Sequence, residues 1–188
     1  MTRAESKQQT RAALLAAARD VFARDGFHGA TLERVAEAAG FTKGAVYSAF
    51  DSKADLFLAV YEARVAERAA RLEAQAPDTF EGALRASSAE WREVLREQRS
   101  WSAALTEFWV HASRDEELSQ RFGAAHRSWR SAVGRLIDGA AKAEGRALPL
   151  PGERVATAVL ALGNGLALEA LLGDDQSDLL EVVARALT

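Results

Sequence analysis

Lys43, Gly44, Tyr47 and Ser48 are the residues of this chain whose types and spacing could do chemistry together. At about 100° per residue they fall on one arc of a short helical pattern. A cation, a bare stretch of backbone, a phenol and a hydroxyl on one face suit a polyanion with readable edges. Ala45, Val46, Ala49 and Phe50 take the opposite arc, so that face is apolar and docks on a core. Thr42 stands just before the pattern as an N-cap, its hydroxyl oxygen able to accept from a first-turn N–H. That hydroxyl and the remaining free N–H groups also suit a phosphate.

The surrounding segment, TLERVAEAAGFTKGAVYSAFDSK over residues 31–53, supplies the elements that position this face. Leu32, Val35, Ala36 and Ala39 give a preceding helix its buried stripe, and Thr31 can cap it. Gly40 suits the left-handed conformation that ends a helix at low cost. Two short helices joined this way form a helix-turn-helix, which places its second helix in the DNA major groove. The pattern alone is also that of an ordinary helical hairpin with a solvated outer face.

The rest of the chain reads as helix. A first helix is expected over about residues 6–24, with Leu14, Leu15, Ala18, Val21 and Phe22 inward and Gly26 stopping it. Ser52 and Asp55 form a capping-box-like start to a fourth helix, running to about Gln75 with Leu56, Phe57, Val60 and Tyr61 inward. Pro77-Asp78 breaks the chain, and helices follow over about 79–98, 101–113 and 115–143. Pro149-Leu150-Pro151-Gly152 is the clearest loop. An apolar helix over about 153–172 and a last one to Ala186 complete an all-α fold of about nine helices. The expected domains are residues 1–55, a three-helix helix-turn-helix unit, and residues 56–188, a larger helical domain.

Composition bounds the function. Only three prolines suit helix throughout, and the absence of cysteine leaves no disulfide framework and no thiolate metal site. The N-terminal MTRAESKQQTR lacks the apolar region of a secretory signal. Residues 155–172 come near the roughly 20 apolar residues of a membrane span, but Asn164, Glu169, Gly163 and Gly165 argue against one. A soluble cytoplasmic protein without cofactor or metal is expected. Residues 1–55 carry eight Lys and Arg against seven Asp and Glu; the rest carries sixteen against twenty. At −3 overall this is no general polyanion binder, so contact with DNA has to come from local placement of Arg3, Lys7, Arg11, Arg34, Lys43 and Lys53.

Residues 10–57 resemble the N-terminal domain of the tetracycline-repressor-like (TetR) family of bacterial regulators. The likeness runs through Leu14, Leu15, Ala17, Ala18, Phe22, Gly26-Phe27, Thr31, Val35-Ala36, Ala39-Gly40-Phe41-Thr42, Gly44, Val46-Tyr47, Phe50, Ser52-Lys53 and Leu56. By this resemblance Thr31, Thr42, Tyr47 and Lys53 are expected on the phosphate backbone, and Lys43, Gly44 and Ser48 nearest the base edges. The sequence departs at Ala45, where many relatives have Ser or Thr, and at Ala49, where many have His. Base recognition then rests on fewer side chains.

The resemblance also implies a C-terminal domain that binds an effector and dimerises. Trp91, Trp101, Phe108, Trp109, Phe122 and Trp129 cluster in the sequence; Trp101, Leu105, Phe108 and Trp109 share one helical face. Trp101, Leu105, Phe108, Trp109, His126, Trp129 and Asn164 are therefore candidates for an apolar ligand site, with His111, Glu107 and Glu169 as further polar groups. The same aromatic stripe is also what a plain helical core looks like. Val159, Leu162 and Leu166, with Leu179 and Val183, are the candidate dimer interface. The expected protein is a homodimeric transcriptional repressor, released from a palindromic operator by a hydrophobic or aromatic small molecule. An activator of the same fold, or a ligand-binding protein without operator recognition, shares these features. His111, His126, Glu107 and Asp115 could serve an enzyme as acid–base groups, but no nucleophile–base motif accompanies them.

Overall fold

The computed structural model describes residues 2–74 and 99–173, together with 179, 182 and 183. Among the described residues there are seven helices and no strand: α1 (Arg3–Gly29), α2 (Leu32–Ala39), α3 (Lys43–Ala49), α4 (Lys53–Ala74), α5 (Arg99–Ala112), α6 (Glu116–Ala143) and α7 (Gly152–Leu171). The class is all-α. Two of the roughly nine expected helices fall elsewhere: the one over 79–98, with Pro77 and Trp91, lies outside the described residues, as does most of the last.

α1 starts earlier and ends later than periodicity suggests. Thr2 and Glu5 form a capping box, the Glu5 N–H donating to Thr2 Oγ1 at 3.2 Å. This satisfies first-turn donors before the apolar stripe begins. Gly26 does interrupt the helix, at φ 74° and ψ 174°, but one more turn follows before Ala30 ends it. A residue with a Cβ resists that φ, so the bend falls on the glycine.

The described residues form two compact units. The first joins residues 1–64 to 103–122 and is built on rings. Phe57 stacks on Phe108 at 4.3 Å and meets Phe22 edge-on at 4.8 Å. Phe27 meets Phe108 at 5.2 Å, and Phe122 meets both Phe108 and Tyr61 edge-on. Each such pair adds about 0.5–1.5 kcal/mol beyond the area it buries. The expected division at residue 55 is thus one of function, while packing runs on through the first half of α4 and draws in α5. The start of α4 is fixed by Ser52, whose Oγ accepts from the Asp55 N–H at 3.0 Å, and by Arg121 donating to Asp55 at 2.7 Å.

The second unit packs the second half of α4, most of α6 and α7. Trp129, Val133 and Ile137 of α6 meet Val155, Val159, Leu160 and Leu166 of α7, with Leu72 of α4. Close approach at the α7 start is made by glycine: a Cβ on Gly134 would come within 2.7 Å of Glu153 Cα. The Gly152 N–H donates to Asp138 at 2.8 Å, so a side chain from α6 caps α7. By length and composition α7 could cross a membrane, but its inner face is part of this core.

Phe108 has no exposed surface. Phe108→Ala is expected to lower stability by about 3–5 kcal/mol in urea melts; a loss below about 1 kcal/mol would contradict the aromatic core described.

Candidate nucleic-acid interface

The turn between α2 and α3 is built by backbone bonds that its sequence permits. Gly40 sits at φ 71°, its N–H donating to the Glu37 carbonyl at 3.1 Å, while the Phe41 N–H reaches the Ala36 carbonyl at 2.9 Å. That pair of bonds is the Schellman arrangement, and it frees the next residues to start a new helix. Thr42 caps α3, accepting from the Ala45 N–H at 3.3 Å; Thr31 caps α2, accepting from Arg34 at 3.2 Å. Leu32, Val35 and Ala36 are buried beneath α2, and Val46 and Phe50 beneath α3.

The opposite arc of α3 faces outward. Lys43, Gly44, Tyr47 and Ser48 are exposed, Tyr47 to 48%. A half-exposed phenol is available to a ligand. Nothing but the Thr42 hydroxyl lies near where a Gly44 Cβ would stand, so the backbone there is open to close approach. The Ser48 hydroxyl donates to the Ala45 carbonyl at 2.8 Å, leaving its lone pairs to accept. Thr31 and Thr42 are exposed on the same stretch of chain.

Lys43 is not a free cation. Its ammonium is paired with the Glu33 carboxylate of α2 and lies 5.7 Å from the Tyr47 ring centre. The hydrogen bond to Glu33 raises the Lys43 pKa and lowers that of Glu33, so both stay charged. The pair holds Lys43 in place across the outer face and presents a carboxylate beside any incoming phosphate.

Other basic residues expected near DNA are tied to groups of the protein itself. Lys53, expected on the phosphate backbone, donates to the carbonyls of His28 and Ala30 at 3.1 and 3.0 Å and lies over the Phe27 ring. Burial lowers its pKa. Arg11 donates to the Ala49 carbonyl at 3.1 Å and covers the Phe50 ring, capping the C-terminal end of α3. Arg34 pairs with Asp25 at 2.9 Å. No sequence signal marks these contacts, because each partner is remote in the chain and is a backbone carbonyl or a single carboxylate.

The candidate ligand residues divide between the units. Leu105, Phe108 and Trp109 belong to the first; Trp101, His126, Trp129 and Asn164 to the second. Phe108 is sealed in the aromatic core, so it is a core residue rather than a pocket wall. Trp109 is partly exposed and edge-on to Phe122 at 5.6 Å, and Leu105 is half-buried. Trp101 is buried. Trp129 is buried under Arg68, whose guanidinium lies 4.7 Å from its ring centre. His126 and Asn164 are half-buried; burial and then Arg130 lower the His126 pKa, favouring the neutral ring. An open groove of about 550 Å³ in the second unit is lined by Asp138, Lys142, Arg146, Leu148 and Leu150, and by none of the expected ligand residues.

Of the candidate dimer residues, two are core residues of the second unit. Val159 and Leu166 are buried in the second unit's own core, and Leu162 packs against it. Leu179 is exposed and Val183 half-buried. Gly165 has open space where a Cβ would stand. Outward apolar residues of α7 and its C-cap include Ala158, Ala161, Leu168, Leu171 and Leu172, of which all but Leu171 line up with Gly165 at alternating spacings of three and four. An apolar run without visible period hid this division into two faces.

Among the described residues, a capped, outward-facing second helix in a helix-turn-helix is the arrangement that such motifs insert into the DNA major groove. Residues 14–60 match the model of bacterial regulatory proteins of the tetR family, and residues 81–188 match the C-terminal domain of BetI-type transcriptional repressors. The chain belongs to the TetR family of bacterial regulatory proteins. It is 32% identical over 118 residues to an uncharacterised HTH-type transcriptional regulator, YfiR, of Bacillus subtilis, covering 62% of this chain and 58% of that protein. Its fold is similar to that of a TetR-family regulator from Rhodococcus sp., with a TM-score of 0.76, 24% identity, and 96% and 98% of the two chains covered. It is also similar to FadR from Bacillus subtilis, solved with stearoyl-CoA, at a TM-score of 0.73, 15% identity, and 93% and 94% covered.

Glu33→Gln removes the carboxylate beside Lys43. It is expected to tighten binding to DNA selected by the wild-type protein about threefold to tenfold at low salt, with the gain shrinking as salt rises. Unchanged affinity in anisotropy titrations would show that Lys43 does not face DNA.

Proposed function

We propose that the chain acts as a homodimeric repressor in the cytoplasm, binding a palindromic operator and leaving it when a hydrophobic small molecule binds. The observation that carries this reading is the outer arc of α3, which offers Lys43, Gly44, Tyr47 and Ser48 while its inner arc is locked in the core. Lys43, Gly44 and Ser48 are the residues proposed to meet base edges; Thr31, Thr42 and Tyr47 are proposed to meet phosphates. Lys53 supports them from within by holding the chain that leads into α2. Residues 1–55 are the proposed DNA-binding segment and residues 56–188 the proposed effector-binding and dimerisation segment. The repressor sign draws support from the BetI-type family match, and a hydrophobic effector from the FadR neighbour solved with stearoyl-CoA. Trp101, Trp129, His126 and Asn164 are the proposed ligand residues.

Two recognition helices spaced about 34–36 Å apart would read successive major grooves. A two-fold dimer supplies that spacing only if one patch pairs with itself. The outward face of α7 suits this: small residues at 158, 161 and 165 allow close helix approach, and Leu168 and Leu172 add apolar area. The effector works only through a difference in affinity between the operator-bound and released conformations.

Leu168→Glu is expected to turn dimer into monomer in light scattering and to weaken binding to wild-type-selected DNA by about a hundredfold, since each half-site then binds alone. A dimer of unchanged mass would overturn the α7 interface. A reporter fused to the selected promoter gives the sign: derepression on deletion supports a repressor, and loss of expression an activator.

A further inference from the structure

We infer that Glu107 is a positioning residue for DNA binding, acting through the corner that joins α1 to α2. The inference rests on the DNA-binding reading of α2 and α3. The corner is the single turn after Gly26, ending at Ala30 and leading directly to Thr31, the cap of α2. One isolated turn has no stability of its own, and its end groups need partners from elsewhere.

Two side chains supply those partners, and their charges are opposite. Glu107 Oε2 of α5 accepts from the His28 N–H at 2.9 Å. Lys53 Nζ of α4 donates to the carbonyls of His28 and Ala30 at 3.1 and 3.0 Å. The anion meets the N–H side of the turn and the cation its carbonyl side, as the backbone dipole favours. Gly26 is part of the same device: a Cβ there would lie 2.8 Å from Glu107 Oε1, so the carboxylate occupies the space a side chain would take. One turn along α5, the His111 ring lies 4.9 Å from that of Phe27 and 6.3 Å from that of His28. Glu107 and His111 thus hold the corner from one face of one helix.

α5 is continuous, and its residues up to Ser102 belong to the second unit while those from Ala103 belong to the first. The corner sets where α2 begins, α2 sets the turn at Gly40, and the turn sets the direction of α3. A residue that touches no DNA would by this route control how α3 enters the groove.

The test uses the full chain and DNA fragments selected by the wild-type protein. Hydrogen exchange read by mass spectrometry covers residues 26–31, alongside anisotropy on selected and unrelated DNA. Glu107→Ala is expected to speed exchange in that segment about tenfold and to weaken selected-DNA binding about tenfold, with binding to unrelated DNA unchanged. Glu107→Gln keeps an acceptor for the His28 N–H and should stay within about threefold of wild type on both readouts. Wild-type exchange in Glu107→Ala overturns the inference, as does faster exchange without loss of selected-DNA affinity. If Glu107→Ala exchanges fast everywhere, Glu107→Asp decides: it keeps the charge but loses reach, and must fall below Glu107→Gln. An order of Asp at or above Gln overturns the inference. Failure of the wild type to select any DNA overturns the DNA-binding reading instead, and the exchange data show separately whether Glu107 holds the corner.

Discussion

A seven-residue helix cannot hold itself together in water, and α3 is seven residues long. Its existence therefore depends on what grips it. Val46 and Phe50 sink into the first unit's core, Thr42 closes its N-terminal end, and Arg11 reaches from α1 to close its C-terminal end. Those contacts use the inner arc and both ends, which leaves the outer arc with its groups presented to solvent. Stability and recognition are thus assigned to different faces of the same short element. α1 and α2 are held in turn by the corner at Gly26, whose polar groups are met by Glu107 and Lys53.

The electrostatics follow the same division. Lys53, Arg11 and Arg34 are engaged with carbonyls and a carboxylate inside the first unit. Lys43 is presented outward yet tethered to Glu33. With a net charge of −3, weak general attraction to polyanions is expected, and fit at the groove has to supply most of the discrimination. In the proposed reading Gly44 serves fit by leaving the backbone open, a different use of the position from any side-chain contact. Ala45 and Ala49, half-buried on the inner arc, belong to packing more than to reading.

Local signals carried the helix-turn-helix well. Thr31, Gly40, Thr42 and Ser52 each act within four residues of their position, and caps and turns of that reach are written in neighbouring residue types. The inner stripes of α2 and α3 follow from a 3.6-residue period for the same reason. What periodicity could not show was which core a stripe joins. Phe108 looked like a pocket residue because it lies on an aromatic face of α5, yet it stacks on Phe57, fifty-one positions away. Val159 and Leu166 looked like interface residues in a segment apolar all round; only packing against α6 separates its inner face from the outer line through Gly165 and Leu168. Lys53, Arg11 and Glu107 were illegible in their structural roles, since a charged side chain bound to a distant carbonyl or N–H leaves no local pattern.

The central claim is that the outer arc of α3 reads DNA sequence. The most direct measurement is a selection of genomic fragments by the purified wild-type protein, run beside a folded Lys43→Ala/Tyr47→Ala double variant. Enrichment of one palindromic motif by the wild type, lost in a variant that keeps its melting temperature and oligomeric state, is the predicted result. The same motif enriched equally by the double variant would contradict the account.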